Sequence, residues 1–153
     1  MCGIVGLHIR NSDLYPRLGE LLTGMLCEME DRGADSAGIS IYGDPTWTPP
    51  GRGAVSLIDL EIPPEQVASE LGEAVAADVE VSAVGRTYVV TSPIDSEDLL
   101  RAASDLYPHV LVGGFGSGLA VLKGVGRPQD LARDWGLAGA QGWQAVSYTH
   151  LRA

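Results

Sequence analysis

Residues 1–9 are MCGIVGLHI, and the run after the cysteine is mostly apolar and partly β-branched. Such a run is typical of a buried strand, and this one starts almost at the chain terminus. Its two glycines, Gly3 and Gly6, allow neighbouring backbone to approach closely. The sequence therefore predicts a core strand over residues 3–9. That strand would anchor Cys2 in the sheet rather than leave it on a frayed terminus.

Cys2 has the chemistry of a nucleophile that carries its own base. Removal of the initiator Met1 would leave it with both a thiol and a free α-amine. The unperturbed pKa is near ~8.5 for the thiol and ~7.7–8.0 for the amine, so a neutral amine can accept the thiol proton at physiological pH. N-terminal threonine nucleophiles use the same arrangement. The alternative is an incidental cysteine at the start of a core strand.

A helix and a second strand are predicted after the first strand. Seven leucines and methionines recur at helical spacing between Leu14 and Met29, which predicts a helix of about five turns ending near Arg32 and Gly33. AGISIY, residues 37–42, predicts the second strand. Glycines in the connecting DRGADSAG segment permit a tight passage from helix to strand.

The remainder of the chain alternates between predicted strands and helices. Further strands are expected over residues 54–62, within 79–91, and as a pair within 109–123. Further helices are expected over residues 63–76, 95–106 and 128–136. No internal repeat is visible. This order of elements predicts an α+β layered domain.

Composition narrows the class of protein. The chain has 153 residues, 45% of them hydrophobic, which is room for one globular domain. Its formal net charge of −10 would repel phosphate backbones, and no basic amphipathic stretch is present. We therefore expect neither a nucleic-acid partner nor a membrane partner. Cys2 and Cys27 make no disulfide framework, and no signal peptide precedes the first strand, so a cytoplasmic location is expected.

Two segments, taken together, resemble a known family. MCGIVGL, followed by a helix and then DRGADSAGISI (residues 31–41), is similar to the N-terminal signature of class II glutamine amidotransferases. In that family a Cys-Gly-Ile-Val-Gly strand leads to a helix, and Arg-Gly-x-Asp-Ser-Ala-Gly leads into the next strand. The resemblance covers residues 1–42. It implies an N-terminal nucleophile hydrolase fold, which is a four-layer αββα sandwich.

The resemblance also implies an activity, the hydrolysis of the glutamine side-chain amide. Cys2 would attack the carboxamide carbon and expel ammonia, and water would then release glutamate from a glutamyl thioester. Ammonia would pass to a synthase domain or subunit. No cofactor and no metal are expected, because thiol and amine suffice for this chemistry.

Four residues of the second motif are expected to support the site without reacting: Arg32, Gly33, Asp35 and Ser36. Arg32 could hydrogen-bond carbonyl groups near the first strand, or pair with Asp35. Asp35 and Ser36 could cap local backbone groups. The alternative for these side chains is a well-made turn with no part in the chemistry.

A second, weaker match indicates a branch of the family. Residues 121–142, VLKGVGRPQDLARDWGLAGAQG, resemble a segment of stand-alone amidotransferase subunits related to glutamate synthase. Those subunits resemble partners of separate flavin and iron–sulfur synthase subunits. The match implies L-glutamine as substrate and a glutamate-synthase-like subunit as the acceptor of ammonia.

Two further elements of the family pattern are absent from the sequence. The family has an arginine in a His-Thr-Arg-type motif that holds the substrate α-carboxylate, and an Asn-Gly pair at the oxyanion hole. Here the single asparagine is Asn11, and serine follows it. SYTHLRA, residues 147–153, resembles a translated sequencing adapter. We therefore expect residues 1–146 to be the N-terminal part of an amidotransferase domain, incomplete at the C-terminus, with 147–153 a non-native tail and with impaired activity.

Two other functions stay open at this stage. One is an N-terminal-cysteine amidase that acts on a different amide, although the RGADSAG motif argues against it. The other is a non-catalytic subunit that keeps the fold and binds a synthase partner. Other candidate chemistry is weak: the three histidines lack metal-ligand spacing, the glycines of 114–118 match no phosphate-binding loop, and Cys27 fits core packing.

Overall fold

The computed structural model describes residues 3–29, 31 and 33–150, with His150 described by its backbone. The chain divides into two compact units. Unit 1 comprises Met1–Gly43 and Lys123–Ala153, and unit 2 comprises Asp44–Leu122. The described residues form two four-stranded sheets together with α-helices. The predicted α+β class is therefore confirmed.

The elements are numbered in chain order. The described strands are β1 (Gly3–His8), β2 (Ser36–Tyr42), β3 (Gly53–Ile58), β4 (Glu80–Val84), β5 (Thr87–Ser92), β6 (Leu111–Ser117), β7 (Leu119–Val125) and β8 (Gln144–His150). The described α-helices are α1 (Leu18–Cys27), α2 (Pro64–Val75), α3 (Ser96–Leu106) and α4 (Pro128–Asp134). Short 3₁₀ helices cover Ser12–Arg17 and Leu137–Gly139.

β1, β8 and β2 of unit 1 lie in a sheet with the strand order β1-β8-β2-β7, in which β7 crosses the boundary between the two units. β8 pairs antiparallel with β1 on one side and with β2 on the other. The helix α1 contacts β1 and β8 and buries Leu18, Leu22 and Leu26 completely. These leucines recur every four residues, which places them on one face of the helix and explains the stripe seen in the sequence.

The helix α1 ends earlier than the sequence predicts. The predicted end near Arg32 and Gly33 is wrong, because the α-helix stops at Cys27. After Cys27 the hydrogen bonding tightens, and the amide of Met29 donates to the carbonyl of Leu26 at 3.1 Å. A shift to this i−3 pattern is a common way for an α-helix to end.

Glycine allows α1 to lie directly against the segment before β8. The amide of Gly19 donates to the carbonyl of Ala140 at 2.9 Å. A Cβ atom at position 19 would overlap the carbonyl oxygen of Leu137. A side chain at this position would therefore push α1 away from residues 137–140, so the close approach requires glycine.

Unit 2 holds a sheet of order β4-β5-β3-β6, in which each neighbouring pair is antiparallel. Its core lies between the sheet and the two helices α2 and α3, and it is formed by Val55, Leu57, Val67, Leu71, Val90, Leu99, Ala103 and Tyr107. The side chain of Asp95 caps α3 by accepting from the amide of Glu97 at 2.8 Å. The predicted helices of this unit are confirmed.

Two strand predictions for the middle of the chain need correction. The strand expected over residues 54–62 ends at Ile58, where Asp59 takes a left-handed conformation with φ of 56°. The strand pair expected within 109–123 exists as β6 and β7, but these strands belong to different sheets. The chain changes sheet at Gly118, whose φ is 69°.

The described helices are short. The longest, α2, has 12 residues, whereas a bilayer crossing needs about 20. None of the helices in the described part of the chain combines the length and the apolar character that such a crossing requires.

A hydrogen bond between side chains joins α3 to α2. The hydroxyl of Tyr107 donates to Oε2 of Glu70 at 2.7 Å, and Gln66 donates to Oε1 of the same carboxylate at 2.6 Å. Burial, and then the neighbouring carboxylate, raises the pKa of Tyr107 above its ordinary value. The bond from Tyr107, and then that from Gln66, lowers the pKa of Glu70. The contact therefore favours the ionised carboxylate.

Replacing Tyr107 by Phe should make unit 2 less stable in a pH-dependent way. Loss of the hydrogen bond should lower the free energy of unfolding by about 1 kcal/mol at neutral pH. The folded-state pKa of Glu70 lies below the ordinary 4.5, so its contribution is present above that value and is lost as pH falls through the folded pKa. The difference between the two proteins, measured by urea unfolding, should therefore shrink in acid.

Tyr88→Phe is the matched control for this prediction. The Tyr88 hydroxyl donates to the carbonyl of Ile62 at 2.9 Å, and a carbonyl does not titrate. The difference between wild type and Tyr88→Phe should therefore stay constant over the same pH range. Equal pH dependence in the two variants would contradict the assignment of the effect to Glu70.

Candidate active site

The two motifs of the N-terminal third lie where β1 and β2 begin, and these two strands begin at the same end of their sheet. β1 and β2 each pair antiparallel with β8, so they run parallel to each other. Gly3 on β1 and Ala37 on β2 both face Thr149 of β8. Two strand spacings separate them, which corresponds to about 10 Å. Residues 34 positions apart in sequence therefore lie at the same end of the sheet, on either side of β8.

Of the five predicted site residues, Cys2 and Arg32 lie outside the described residues. The other three lie on the approach to β2. Gly33 is buried, Asp35 is half-buried, and Ser36 is the half-buried first residue of the strand, opposite His150 of β8. Asp35 and Ser36 thus lie at the end of the sheet at which Gly3 lies.

The loop after β7 holds this segment in place. The amide of Gly126 donates to the carbonyl of Asp35 at 2.8 Å. Gly126 has a φ of 138°, a conformation that a residue with a side chain rarely adopts. The KGVGRP sequence around Gly126 therefore forms a turn that directs an amide at the RGADSAG segment. The weaker of the two sequence matches is physically linked to the stronger one.

The central strand β8 adds polar groups at the same end of the sheet. Ser147 is fully buried, and its hydroxyl donates to the carbonyl of Gly38 at 3.0 Å. Thr149 is 1% exposed and lies between Gly3 and Ala37. Its hydroxyl has no hydrogen-bond partner among the described residues. Sequence reasoning assigned both residues to a tail and so did not consider them.

No protein-family model matches the chain. The chain is 34% identical over 154 aligned positions to the glutamine amidotransferase-like protein GlxB of Rhizobium meliloti (strain 1021). The match includes 99% of this chain and 50% of GlxB, so the chain spans about half the length of that relative. The comparison supports a glutamine amidotransferase-like family.

The structure also describes residues of the other candidate sites. No group of three or more histidine, cysteine or acidic residues in the described regions is arranged to hold a metal ion. Cys27 is a half-buried free thiol at the end of α1. Residues 114–117 continue β6 as a strand rather than forming a phosphate-binding loop.

Sequence reasoning missed Gly126 as a residue of the site. The available signal was the pair of glycines in KGVGRP, which lies inside a segment already matched to the family branch. What the sequence did not give is the partner of that turn, because the bond joins positions 91 residues apart. The two positions lie close together because β2 and β7 are neighbours in the sheet.

Gly126→Ala should destabilise unit 1 by about 1–3 kcal/mol, because the alanine side chain disfavours the φ that this turn requires. Urea unfolding measures the loss. Gly24→Ala is the matched control: a Cβ there meets nothing within 4 Å, and the position is inside α1. That variant should be neutral or more stable by about 0.5–1 kcal/mol. Similar losses in both variants would contradict a special role for the turn at Gly126.

Proposed function

We propose that this chain carries the nucleophile half of a class II glutamine amidotransferase site, with Cys2 as the reacting residue. One observation carries the proposal: Gly6 of β1 and Ser40 of β2 face the same residue of β8, Val146, which lies before the proposed tail. Gly3, which follows Cys2, and Ala37 of the RGADSAG motif therefore lie at the same end of the sheet. The two motifs that resemble the family thus lie at the same end of one sheet. The similarity to a glutamine amidotransferase-like protein supports the same conclusion.

The bond changes of the reaction use only the N-terminal residue, the substrate and water. With Met1 removed, the α-amine of Cys2 takes the thiol proton, and the thiolate attacks the side-chain carboxamide carbon of L-glutamine. The tetrahedral intermediate collapses as the nitrogen is protonated and leaves as ammonia, giving a γ-glutamyl thioester. Water then attacks the thioester carbon, releases glutamate and restores the thiol.

The residues around this centre would position it. In this proposal Arg32, Gly33, Asp35 and Ser36 support the site. The amide of Gly126 fixes the carbonyl of Asp35, which sets the direction in which the chain enters β2. Rigid support of this kind matters because small errors in the placement of reacting groups reduce the rate strongly.

Full turnover is proposed to need more than these 153 residues. An arginine for the substrate α-carboxylate and an Asn-Gly pair at the oxyanion hole have no counterpart in the sequence, and loss of one oxyanion donor alone costs about 10²–10³ in rate. The chain spans half of its relative. We propose that residues 147–153 are a non-native tail; the register of β8 is also set by Gln144, Ala145 and Val146, which lie before it.

The four-layer N-terminal nucleophile hydrolase arrangement belongs to the same proposal. So does the fate of the product, which would pass to a glutamate-synthase-like subunit in the cytoplasm. A second candidate function is a non-catalytic subunit that binds the synthase partner. The missing arginine for the substrate α-carboxylate and the missing Asn-Gly pair favour it.

Labelling with 6-diazo-5-oxo-L-norleucine, an electrophilic glutamine analogue, should distinguish the two candidates. Intact-protein mass spectrometry should show one adduct on a chain that lacks Met1, because the activated Cys2 thiolate attacks the analogue. Peptide mapping should place the adduct on Cys2.

Two variants control this experiment. Cys2→Ala should lose the adduct, and Cys27→Ala should retain it, because Cys27 has no part in the site. A folded, Met1-free chain that takes no label would contradict the proposed nucleophile and favour the non-catalytic subunit. A label on Cys27 would show ordinary thiol reactivity.

A further inference from the structure

Among the described residues, the strand β6 forms one edge of the sheet in unit 2 and pairs there with β3 alone. An edge strand presents a row of main-chain amide and carbonyl groups on its outer side, which can pair with another strand. Natural proteins protect such edges with charged side chains, proline or covering segments. β6, with the sequence LVGGFGS, contains neither a charged residue nor a proline.

The opposite edge of the same sheet is protected. β4 is five residues long and carries Glu80. The side chain of Arg52 reaches over this edge, donating to Asp78 at 2.8 Å and lying 3.7 Å from Glu80. One edge strand of this sheet therefore carries charged groups that oppose pairing with another strand, and the other edge strand, β6, carries none.

Apolar side chains flank β6 on both faces of the sheet. Leu111 is 63% exposed and Phe115 is 42% exposed. A register shift near Gly113 makes Leu111 the partner of Ile58 and Phe115 the partner of Val55, so the two side chains lie on opposite faces. A bulge can turn an edge away from partners, but residues 114–117 continue in regular pairing beyond it. A strand added outside β6 would cover apolar surface on either side.

Charge decides which partner fits this edge. Residues 44–122 hold 12 of the chain's 20 acidic residues and three of its ten basic ones, so most of the surface of unit 2 repels another copy. No Asp, Glu, Lys or Arg occurs from His109 to Leu122. When two copies of β6 pair antiparallel, no register brings like charges opposite each other within the strand. Two copies of β6 can therefore pair without charge repulsion within the strand, whereas the acidic surface of the rest of unit 2 repels a second copy.

We propose that β6 is a dimerisation edge, at which a second copy of this chain adds its own β6 in antiparallel orientation. The two four-stranded sheets of unit 2 then form one continuous sheet. A two-fold axis makes the contact use the same strand on both copies, as closed dimers do. This interface lies entirely in unit 2, so it does not depend on the proposed amidotransferase chemistry.

Sedimentation velocity of the 153-residue chain over a range of concentrations, with a reducing agent to exclude disulfides, tests the proposal. A reversible dimer is expected. It should strengthen between about 50 mM and 500 mM salt, because screening removes the repulsion between the acidic units. Phe115→Lys should raise the dissociation constant at least about tenfold, since a charge on the edge opposes pairing. Leu111→Lys, on the other face, should do the same.

Ala83→Lys is the matched control, because Ala83 is an exposed residue on the opposite edge strand β4. It should leave dimerisation unchanged, and circular dichroism should show that all three variants are folded. A wild-type chain that remains monomeric at high salt and high concentration overturns the proposal. So does a dimer that the Lys variants of β6 leave intact, or one that Ala83→Lys weakens to the same extent.

Discussion

The pairing of β8 with both β1 and β2 is the constraint on which the candidate site depends. Because each pairing is antiparallel, the two strands that flank β8 must run parallel, and their first residues must lie at the same end of the sheet. If β1 paired directly with β2 as an antiparallel hairpin, the first residues of the two strands would lie at opposite ends of the sheet. The insertion of a late strand between two early ones is therefore what gives the two motifs a common location.

This topology makes the site a long-range structure. β1 and β2 are separated by a helix, yet the strand that joins them begins at Gln144, after the whole of unit 2 and α4. Contacts between distant positions form late and slowly, because the intervening chain must first be ordered. The turn at Gly126 and the buried hydroxyl of Ser147 strengthen the same end of the sheet from residues that also follow unit 2. The N-terminal third alone does not determine the geometry around its own motifs.

The elements that could be predicted are those whose signal is local. The apolar run after Cys2, the leucine stripe of α1 and the cap at Asp95 each specify structure within a few residues, and β1, most of α1 and α3 follow from them. The burial expected for β1 is wrong, because it is an edge strand of its sheet and Ile4 is 73% exposed. The end of α1 was misplaced, because the apolar stripe continues to Met29 whereas the hydrogen bonding tightens after Cys27. β8 was not predicted, since SYTH was interpreted as part of a tail. The separation of β6 and β7 into different sheets has no local signal at all.

The same distinction applies to the site. Asp35 and Ser36 were found through a motif, and their part in the site stays a prediction. Gly126, Ser147 and Thr149 enter through pairing and register, which a single sequence does not reveal. The chemistry of Cys2 remains the central claim, because in the proposed reaction its thiol and α-amine, with water, supply every bond change.

The most direct test uses glutamine itself. Purified chain lacking Met1 is mixed with ¹³C-labelled L-glutamine and quenched in acid, and the N-terminal peptide is examined by mass spectrometry. The account predicts a labelled glutamyl group on Cys2 that hydroxylamine removes, because a thioester reacts with that nucleophile and an amide does not. Free ammonia should appear in at least equal amount. Ammonia release without any thioester, or with the same yield from Cys2→Ala, would contradict the account.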